Sequence, residues 1–137
     1  GSRQLKDYLI NFSKNFIYST ALETHNLLSV KHTYFYLQSN INQLFSLFNL
    51  NKYFKFKAND LKSSFEVRGD GPIYGIIVPD NKKCKDLAVY LQNHNLDVRA
   101  ILSPTVPKGT ERLRVILHSF NTTAEIDQLF SLLTDYK

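Results

Sequence analysis

The sequence predicts an α+β fold, in which a small antiparallel-type sheet has helices packed on one face and is preceded by further helices. Two observations predict this class. Residues 3–57 place most of their apolar side chains at helical spacing, whereas residues 73–137 alternate short apolar runs with two amphipathic stretches. We therefore expect a helical segment over residues 1–57 and an α+β domain over residues 58–137, which together form one compact unit.

The first part is predicted to be mostly helical. Apolar residues recur at helical spacing over residues 3–16, and residues 25–38 and 41–57, which are rich in Leu, Tyr and Phe, predict two more helices. The run FIYSTAL, residues 16–22, is β-branched and aromatic and predicts extended chain. Residues 58–72 are polar and end in RGDGP, which predicts a loop.

The second part reads as strand, helix, strand, strand, helix. IYGIIV (73–78), DVRAIL (97–102) and RLRVILHSF (112–120) are predicted strands, and residues 81–94 form a predicted helix. A Thr-x-x-Glu capping box at residues 122–125 begins the last helix. Because the second and third strands are close in sequence, we expect them to pair antiparallel.

Composition bounds the function classes. The 137 residues, 43% of them apolar, suffice for one domain with a core, and no apolar run is long enough to predict a membrane span. The single Cys84 excludes an internal disulfide and is typical of the reducing cytoplasm. No Cys or His spacing indicates a metal site. The net charge of +5 fits a solvated basic surface or a polyanion partner.

The strand at 112–120 is predicted to place two cations on one face of the sheet. Side chains alternate along a strand, so Leu113 and Val115 point to the core while Arg112 and Arg114 point to the opposite face. A buried unpaired charge is very costly, so both arginines need water, an ion-pair partner or an anionic ligand. The planar fork of arginine matches a carboxylate in a bidentate manner.

Two interpretations of these arginines remain open at this point. One is a solvent-exposed face, or a salt bridge to Glu111 or Asp97; the other is an anion site. The preceding loop favours the anion site, because Pro104 and Pro107 fix φ and Gly109 permits an unusual turn. Such a stiff loop binds a ligand without a large ordering cost.

The stretch SPTVPKGTERLRV, followed by EIDQLFSLL, resembles the C-terminal signature of the α-oxoamine synthases. These are pyridoxal-phosphate (PLP) enzymes of fold type I that join an amino acid to an acyl thioester. The opening GSRQLKDYLINFSKNFIYSTAL resembles the family segment that lies shortly after the Schiff-base lysine, while the middle is more divergent. The resemblance implies the C-terminal small domain of such an enzyme, preceded by a helical segment that links to the large PLP domain.

The resemblance implies roles for four residues. Arg114 matches the arginine that holds the carboxylate of the amino-acid substrate, and Thr105 matches a substrate contact. Ser19 and Thr20 match residues that reach the PLP phosphate of the partner subunit, since family active sites lie at a homodimer interface. Arg112 also matches a family position, without an assigned role.

The resemblance also implies what this chain lacks. In the family the Schiff-base lysine, the aspartate that pairs with the pyridine nitrogen and the aromatic stacking residue all precede the segment that Gly1 begins. We therefore expect no catalytic residue in this chain, and neither synthase activity nor bound PLP for the chain alone. The chain departs from the family pattern at Glu23–Thr24, where Pro-Pro is frequent, and near residues 120–122, where Ala-His-Thr is frequent.

The residues themselves leave a function of another class open. A free-standing α+β module could use the face of Arg112 and Arg114 to bind anionic ligands or nucleic acid. The family reading, in contrast, implies small-molecule substrates and no nucleic-acid or membrane partner.

Overall fold

The computed structural model describes residues 1–61 and 65–136. The chain divides into two compact units, Gly1–Ser39 and Asn40–Lys137. In the described residues the first unit is helical, and the second combines three helices with a four-stranded antiparallel sheet. The predicted α+β class is therefore confirmed.

The first unit contains α1 (Arg3–Phe12), α2 (Lys14–Ile17) and α3 (Thr24–Ser39). The Ser2 hydroxyl accepts a hydrogen bond from the Leu5 amide at 3.2 Å and so caps α1. The predicted helix over residues 3–16 is interrupted at Ser13, whose backbone is extended. None of the residues 1–39 is buried, so this unit has no core of its own.

The prediction of extended chain over residues 16–22 is wrong at its start. Phe16 and Ile17 close the short helix α2, because their amides donate to the carbonyl of Ser13 at 3.0 and 2.9 Å. Residues 18–22 form neither helix nor strand. Local β propensity therefore did not produce a strand here, because none of the described strands pairs with these residues through backbone hydrogen bonds.

Helix α4 (Ile41–Leu61) opens the second unit and crosses the predicted boundary after residue 57. It buries Leu50, Phe54 and Ala58, which are four residues apart and therefore lie on one face. Phe54 is fully buried and stacks on Tyr74 with ring centroids 4.2 Å apart. This packing ties α4 to the sheet. Of the predicted loop at 58–72, residues 62–64 lie outside the described residues.

The sheet consists of β1 (Val67–Arg68), β2 (Ile73–Ile77), β3 (Arg99–Ile101) and β4 (Arg112–Ile116). Its order is β1-β2-β4-β3, and every neighbouring pair is antiparallel. The predicted antiparallel pairing of the strands at 97–102 and 112–120 is confirmed, although both are shorter than predicted. The two-residue strand β1 lies within the segment that was predicted to be a loop. Two residues are too few to show the alternation of apolar and polar side chains that predicts a strand.

Helices α5 (Asn81–Asn93) and α6 (Thr123–Asp135) complete the second unit. The predicted capping box is present: the Thr122 hydroxyl accepts from the Glu125 amide at 3.2 Å, and the Glu125 carboxylate accepts from the Thr122 amide at 2.7 Å. Buried side chains of α4, α5 and α6 join the inward-facing residues of β2 and β4 in one core. Most of the opposite face of the central strands is open, which leaves one sheet face for a site.

Within residues 1–61 and 65–136, no helix combines the length and apolarity needed to cross a membrane.

Candidate functional site

The candidate site lies on the sheet face that carries no helix. Strand β4 alternates as predicted: Leu113 and Val115 are buried, whereas Arg114 is exposed and Arg112 is half-buried on the open face. In the register, Arg114 lies between Gly75 of β2 and Arg99 of β3. The guanidinium of Arg114 therefore projects from the interior of a rigid sheet, beside a strand position with no side chain.

Arg114 has no ion-pair or hydrogen-bond partner for its side chain among the described residues. The proposed partner Asp97 is used by Arg99 instead, with Nη2 and Oδ1 3.0 Å apart. The other proposed partner, Glu111, is buried on the core side of β4. The salt bridge to either acid is thus wrong, and the side chain of Arg114 lies on a solvent-exposed face, as the other half of that interpretation predicted.

Arg112 has a structural role that the sequence did not show. Its Nε donates to the carbonyl of Thr110 at 3.0 Å, which ties the start of β4 to the preceding loop. A Cβ added at Gly75 would lie 3.0 Å from Cδ of Arg112, so this glycine leaves room for the arginine stem to cross β2. Arg112 therefore lies flat across the sheet, whereas Arg114 remains available.

The loop at residues 102–111 enters the site from the end where β3 and β4 are joined. Thr105 is exposed within it, and Gly109 has a positive φ of 85°. The Thr110 hydroxyl donates to the Pro107 carbonyl at 2.7 Å, which closes a tight turn. Besides the prolines and the glycine, a side-chain hydrogen bond thus restrains the conformation of this loop.

The buried carboxylate of Glu111 anchors this loop and was missed as a functional group. Only 1% of the residue is exposed, and its Oε2 accepts from the amides of Gly109 at 2.9 Å and Asp80 at 3.1 Å. Hydrogen bonds from its own amide and from those of Asp80 and Gly109 hold the pKa of the Glu111 carboxyl below its usual value. The alternation that directs Leu113 inward also predicts this direction for Glu111.

A groove of about 470 Å³ opens beside Arg114, between residues 95–99, the end of β4 and the start of α6. His118 lines it, and its ring stacks on that of Phe120 with centroids 4.9 Å apart and planes 8° apart. The lining mixes aliphatic side chains with two cations, Arg99 and Arg114, and two carboxylates, Asp97 and Glu125. Because Asp97 pairs with Arg99, the groove offers the cation of Arg114 beside an apolar wall.

The other two candidate residues lie in the first unit. Ser19 and Thr20 are exposed in the connection between α2 and α3. The Ser19 hydroxyl donates to the carbonyl of Asn15. Within the described residues Thr20 forms no side-chain hydrogen bond, so its hydroxyl is free to donate to a phosphate, while that of Ser19 must first rotate.

Other reactive groups do not form a site in the described part of the chain. Burial raises the pKa of the Cys84 thiol to about 11, so it remains protonated at neutral pH and is a poor nucleophile. Residues 1–61 and 65–136 contain no cluster of three His, Cys, Asp or Glu side chains suited to a metal ion. The arginine face and its loop are therefore the leading candidate.

No family model matches the chain. Curated relatives do match it, and the three described next are 8-amino-7-oxononanoate synthases. That of Emericella nidulans is 36% identical over 96% of this chain and 33% of its own length. The enzymes of Marinobacter nauticus and Aeromonas salmonicida are 33% and 30% identical, and each match covers 97% of this chain. The chain is homologous to part of the 8-amino-7-oxononanoate synthases. It spans about a third of the length of the curated relatives it matches.

Solved structures agree on the fold. The crystal structure of 8-amino-7-oxononanoate synthase from Francisella tularensis superimposes with a TM-score of 0.72 at 24% identity, covering 97% of this chain and 38% of that one. A serine palmitoyltransferase from S. paucimobilis with a bound PLP–myriocin aldimine gives a TM-score of 0.72 at 17% identity, covering 93% of this chain and 32% of that one. The fold is that of part of a fold-type I PLP enzyme.

One stretch of the sequence bears on which α-oxoamine synthase the chain resembles. The continuation Leu117-His-Ser-Phe-Asn-Thr122 favours 8-amino-7-oxononanoate synthase over 5-aminolevulinate synthase, which shares much of the PTVPxGTERLR run, and over the 2-amino-3-ketobutyrate CoA ligase type. The curated relatives described above bear the name of the first of these enzymes.

Proposed function

We propose that this chain is the C-terminal part of an 8-amino-7-oxononanoate synthase. The complete enzyme condenses a pimeloyl thioester, of CoA or of acyl carrier protein, with L-alanine and releases carbon dioxide, a step of biotin biosynthesis. One observation carries the proposal: an exposed arginine, Arg114, has no acidic partner in the described residues and projects from a rigid strand. It does so in a chain whose curated relatives bear that name.

In this proposal Arg114 binds the carboxylate of L-alanine. A guanidinium can donate two parallel hydrogen bonds to one carboxylate, which fixes the orientation of the amino acid as well as its position. Thr105, in the loop that leads into β4, contributes a hydroxyl to the same substrate. Bound PLP would supply the electron sink for the carbanion at the alanine Cα.

The hydroxyls of Ser19 and Thr20 would bind the PLP phosphate of the partner subunit in a homodimer. Both side chains are exposed, and hydroxyl groups are suitable donors to a phosphate. The hydrogen bond from Ser19 to the Asn15 carbonyl competes with this role, so Thr20 fits the phosphate more readily.

We further propose that the first part of the predicted segment 1–57 links to a large PLP domain, and that residues 58–137, with α4 packed on them, form the small domain. The lack of any buried residue within 1–39 supports a segment made to pack on other protein surface. The single, buried Cys84 supports a cytoplasmic location.

The chain alone should neither bind PLP nor catalyse the condensation, because none of its lysines has the family context of the Schiff-base lysine. Incubation of the 137-residue chain with PLP should leave its absorbance spectrum equal to the sum of the separate spectra. A new visible band that disappears in a Lys-to-Arg variant would show that this chain contains the lysine after all.

The experiment that tests the proposed function is replacement of Arg114 in the full-length protein. Arg114→Ala should raise KM for L-alanine by about 10- to 100-fold, because a hydrogen bond to a charged group contributes about 1.5–3 kcal/mol. PLP affinity should remain unchanged. Arg68→Ala is the matched control, since Arg68 lies on the same face but pairs with Glu66 at 2.6 Å. An unchanged KM for L-alanine in Arg114→Ala would contradict the assignment of Arg114 as the residue that binds the substrate carboxylate.

A binding module remains the second candidate, because one row of the open face carries Arg68, Arg99 and Arg114 around Gly75. The sequence upstream of Gly1 separates the two: a Ser/Thr-x-x-Lys context shortly before Gly1 supports the synthase, whereas a start codon near Gly1 supports the module. Filter binding to nucleic acid with a steep salt dependence would also support the module.

A further inference from the structure

The loop at 102–111 is fixed near its start by a side chain of another element. Asn81, the first residue of α5, forms two hydrogen bonds with the backbone of Ser103. Its Oδ1 accepts from the Ser103 amide at 2.9 Å, and its Nδ2 donates to the Ser103 carbonyl at 3.3 Å. This paired contact imitates one rung of a sheet ladder. It joins two segments that are 22 residues apart in the chain.

The same junction fixes the end of the loop through Glu111. One carboxylate oxygen accepts from Gly109 within the loop and from Asp80 at the start of α5. Both donors have a positive φ, 85° at Gly109 and 90° at Asp80, a conformation that L residues other than glycine rarely adopt. The Asp80 side chain is itself held, because it caps α5 by accepting from the amides of Lys82 and Lys83 at 2.8 and 3.0 Å.

A buried carboxylate is an expensive way to fill a core position, since an aliphatic side chain would avoid its desolvation. Unlike an aliphatic side chain, the carboxylate accepts hydrogen bonds from two backbone amides and so fixes their positions relative to the start of β4. Thr105 lies between the two anchored points, and Arg114 lies three residues beyond Glu111. The anchors thus fix the two candidate substrate contacts with respect to each other.

We propose that Glu111, assisted by Asn81, is a positioning residue that holds the loop at 102–111 so that Thr105 and Arg114 meet the same substrate. This rests on the proposed function. Glu111 does not touch the substrate, because it is buried on the core side of β4. It acts through the loop, and its loss should weaken substrate binding rather than PLP binding.

The test uses the full-length protein and Glu111→Gln, which keeps the shape of the side chain and removes its charge. KM for L-alanine should rise about ten-fold, while kcat and PLP affinity change less than two-fold. Asp127→Asn is the matched control: Asp127 is another hydrogen-bonded carboxylate, which accepts from Tyr53 at 2.8 Å and pairs with Lys57 at 2.6 Å, between α4 and α6. The control should leave KM unchanged.

A double-mutant cycle separates positioning from a general loss of stability. If Glu111 acts through Thr105, then Glu111→Gln should raise KM much less in a Thr105→Ala background than in the wild type. Amide exchange of Gly109 should accelerate in Glu111→Gln. Equal, additive effects in both backgrounds would overturn the proposal. If Glu111→Gln does not fold, Asn81→Ala at the exposed end of α5 decides by the same measurements.

Arg114→Ala, measured in parallel, distinguishes the two proposals. A raised KM in Arg114→Ala with an unchanged KM in Glu111→Gln and Asn81→Ala would overturn the positioning role and leave the synthase function standing. An unchanged KM in all three variants would overturn both. A raised KM in all three, with normal PLP affinity, is the result expected.

Discussion

The two compact units differ in what they bury, although both are rich in aromatic and aliphatic residues. In Gly1–Ser39 no residue is buried, and several large side chains are well over half exposed: Tyr8 59%, Phe12 66%, Phe16 63% and Tyr34 67%. In Asn40–Lys137 three helices and a sheet enclose a continuous core. The difference shows that helical spacing of apolar residues predicts where a helix forms, whereas most of the stability of a helix comes from packing its apolar face against other elements.

The largest expected effect comes from breaking the core of the second unit. Phe54 is fully buried and lies between Tyr74 and Phe130, with centroids 4.2 and 5.0 Å away. Phe54→Ala should therefore lower the free energy of unfolding by about 3–5 kcal/mol in urea titrations. Phe56→Ala, two residues along the same helix and 64% exposed, should change it by less than about 0.5 kcal/mol. Equal effects would show that α4 does not pack as described.

A smaller effect compares equivalent helix caps in the two units. Thr122→Ala removes the cap of α6 and should lower the free energy of unfolding of the second unit by about 1 kcal/mol. Ser2→Ala removes the same kind of cap from α1, with the same 3.2 Å distance, in a unit without a core. It should leave the main urea transition unchanged and only reduce helicity by circular dichroism. A shift of the main transition by Ser2→Ala would show that the first unit contributes to the cooperative core.

The smallest expected effect is a change in pH dependence. Hydrogen bonds from backbone amides hold the pKa of Glu111 below its usual value, whereas the pKa of a glutamate in an unfolded chain is about 4.3. Its contribution to stability is therefore present above that pH and is lost as the pH falls through the lower pKa of the folded state. In Glu111→Gln the free energy of unfolding should fall less steeply with decreasing pH below about 4.3. The difference in slope from the wild type should correspond to the uptake of at most one proton on unfolding. An identical slope would mean that the pKa of the Glu111 carboxyl is the same in the folded and the unfolded chain.

The parts of this molecule that were predictable depend on short-range patterns. Alternation along β4 correctly placed Arg114 outside and Leu113 inside, and the Thr-x-x-Glu pattern located the start of α6, because each rule operates within a few residues. Glu111 shows where such rules end. Its inward direction follows from the same alternation, but its partner Asp80 lies 31 residues away in the chain.

Errors in the sequence prediction have similar causes. The run at residues 16–22 has β-type composition, but strand formation needs a partner strand, and Phe16 and Ile17 instead close a turn of helix on Ser13. Helix α4 continues past residue 57 because Ala58 packs into the core, a contact that the polar sequence around it did not indicate. The ion pair between Asp97 and Arg99 depends on side-chain geometry that spacing alone does not determine.

The most direct test of the central claim is release of labelled carbon dioxide from carboxyl-labelled L-alanine by the full-length protein. With PLP and a pimeloyl thioester present, we expect label to be released, and omission of the thioester should abolish the release. Arg114→Ala should need a far higher concentration of alanine for the same rate. If the PLP-loaded wild type releases no label with both substrates at saturation, the account is wrong.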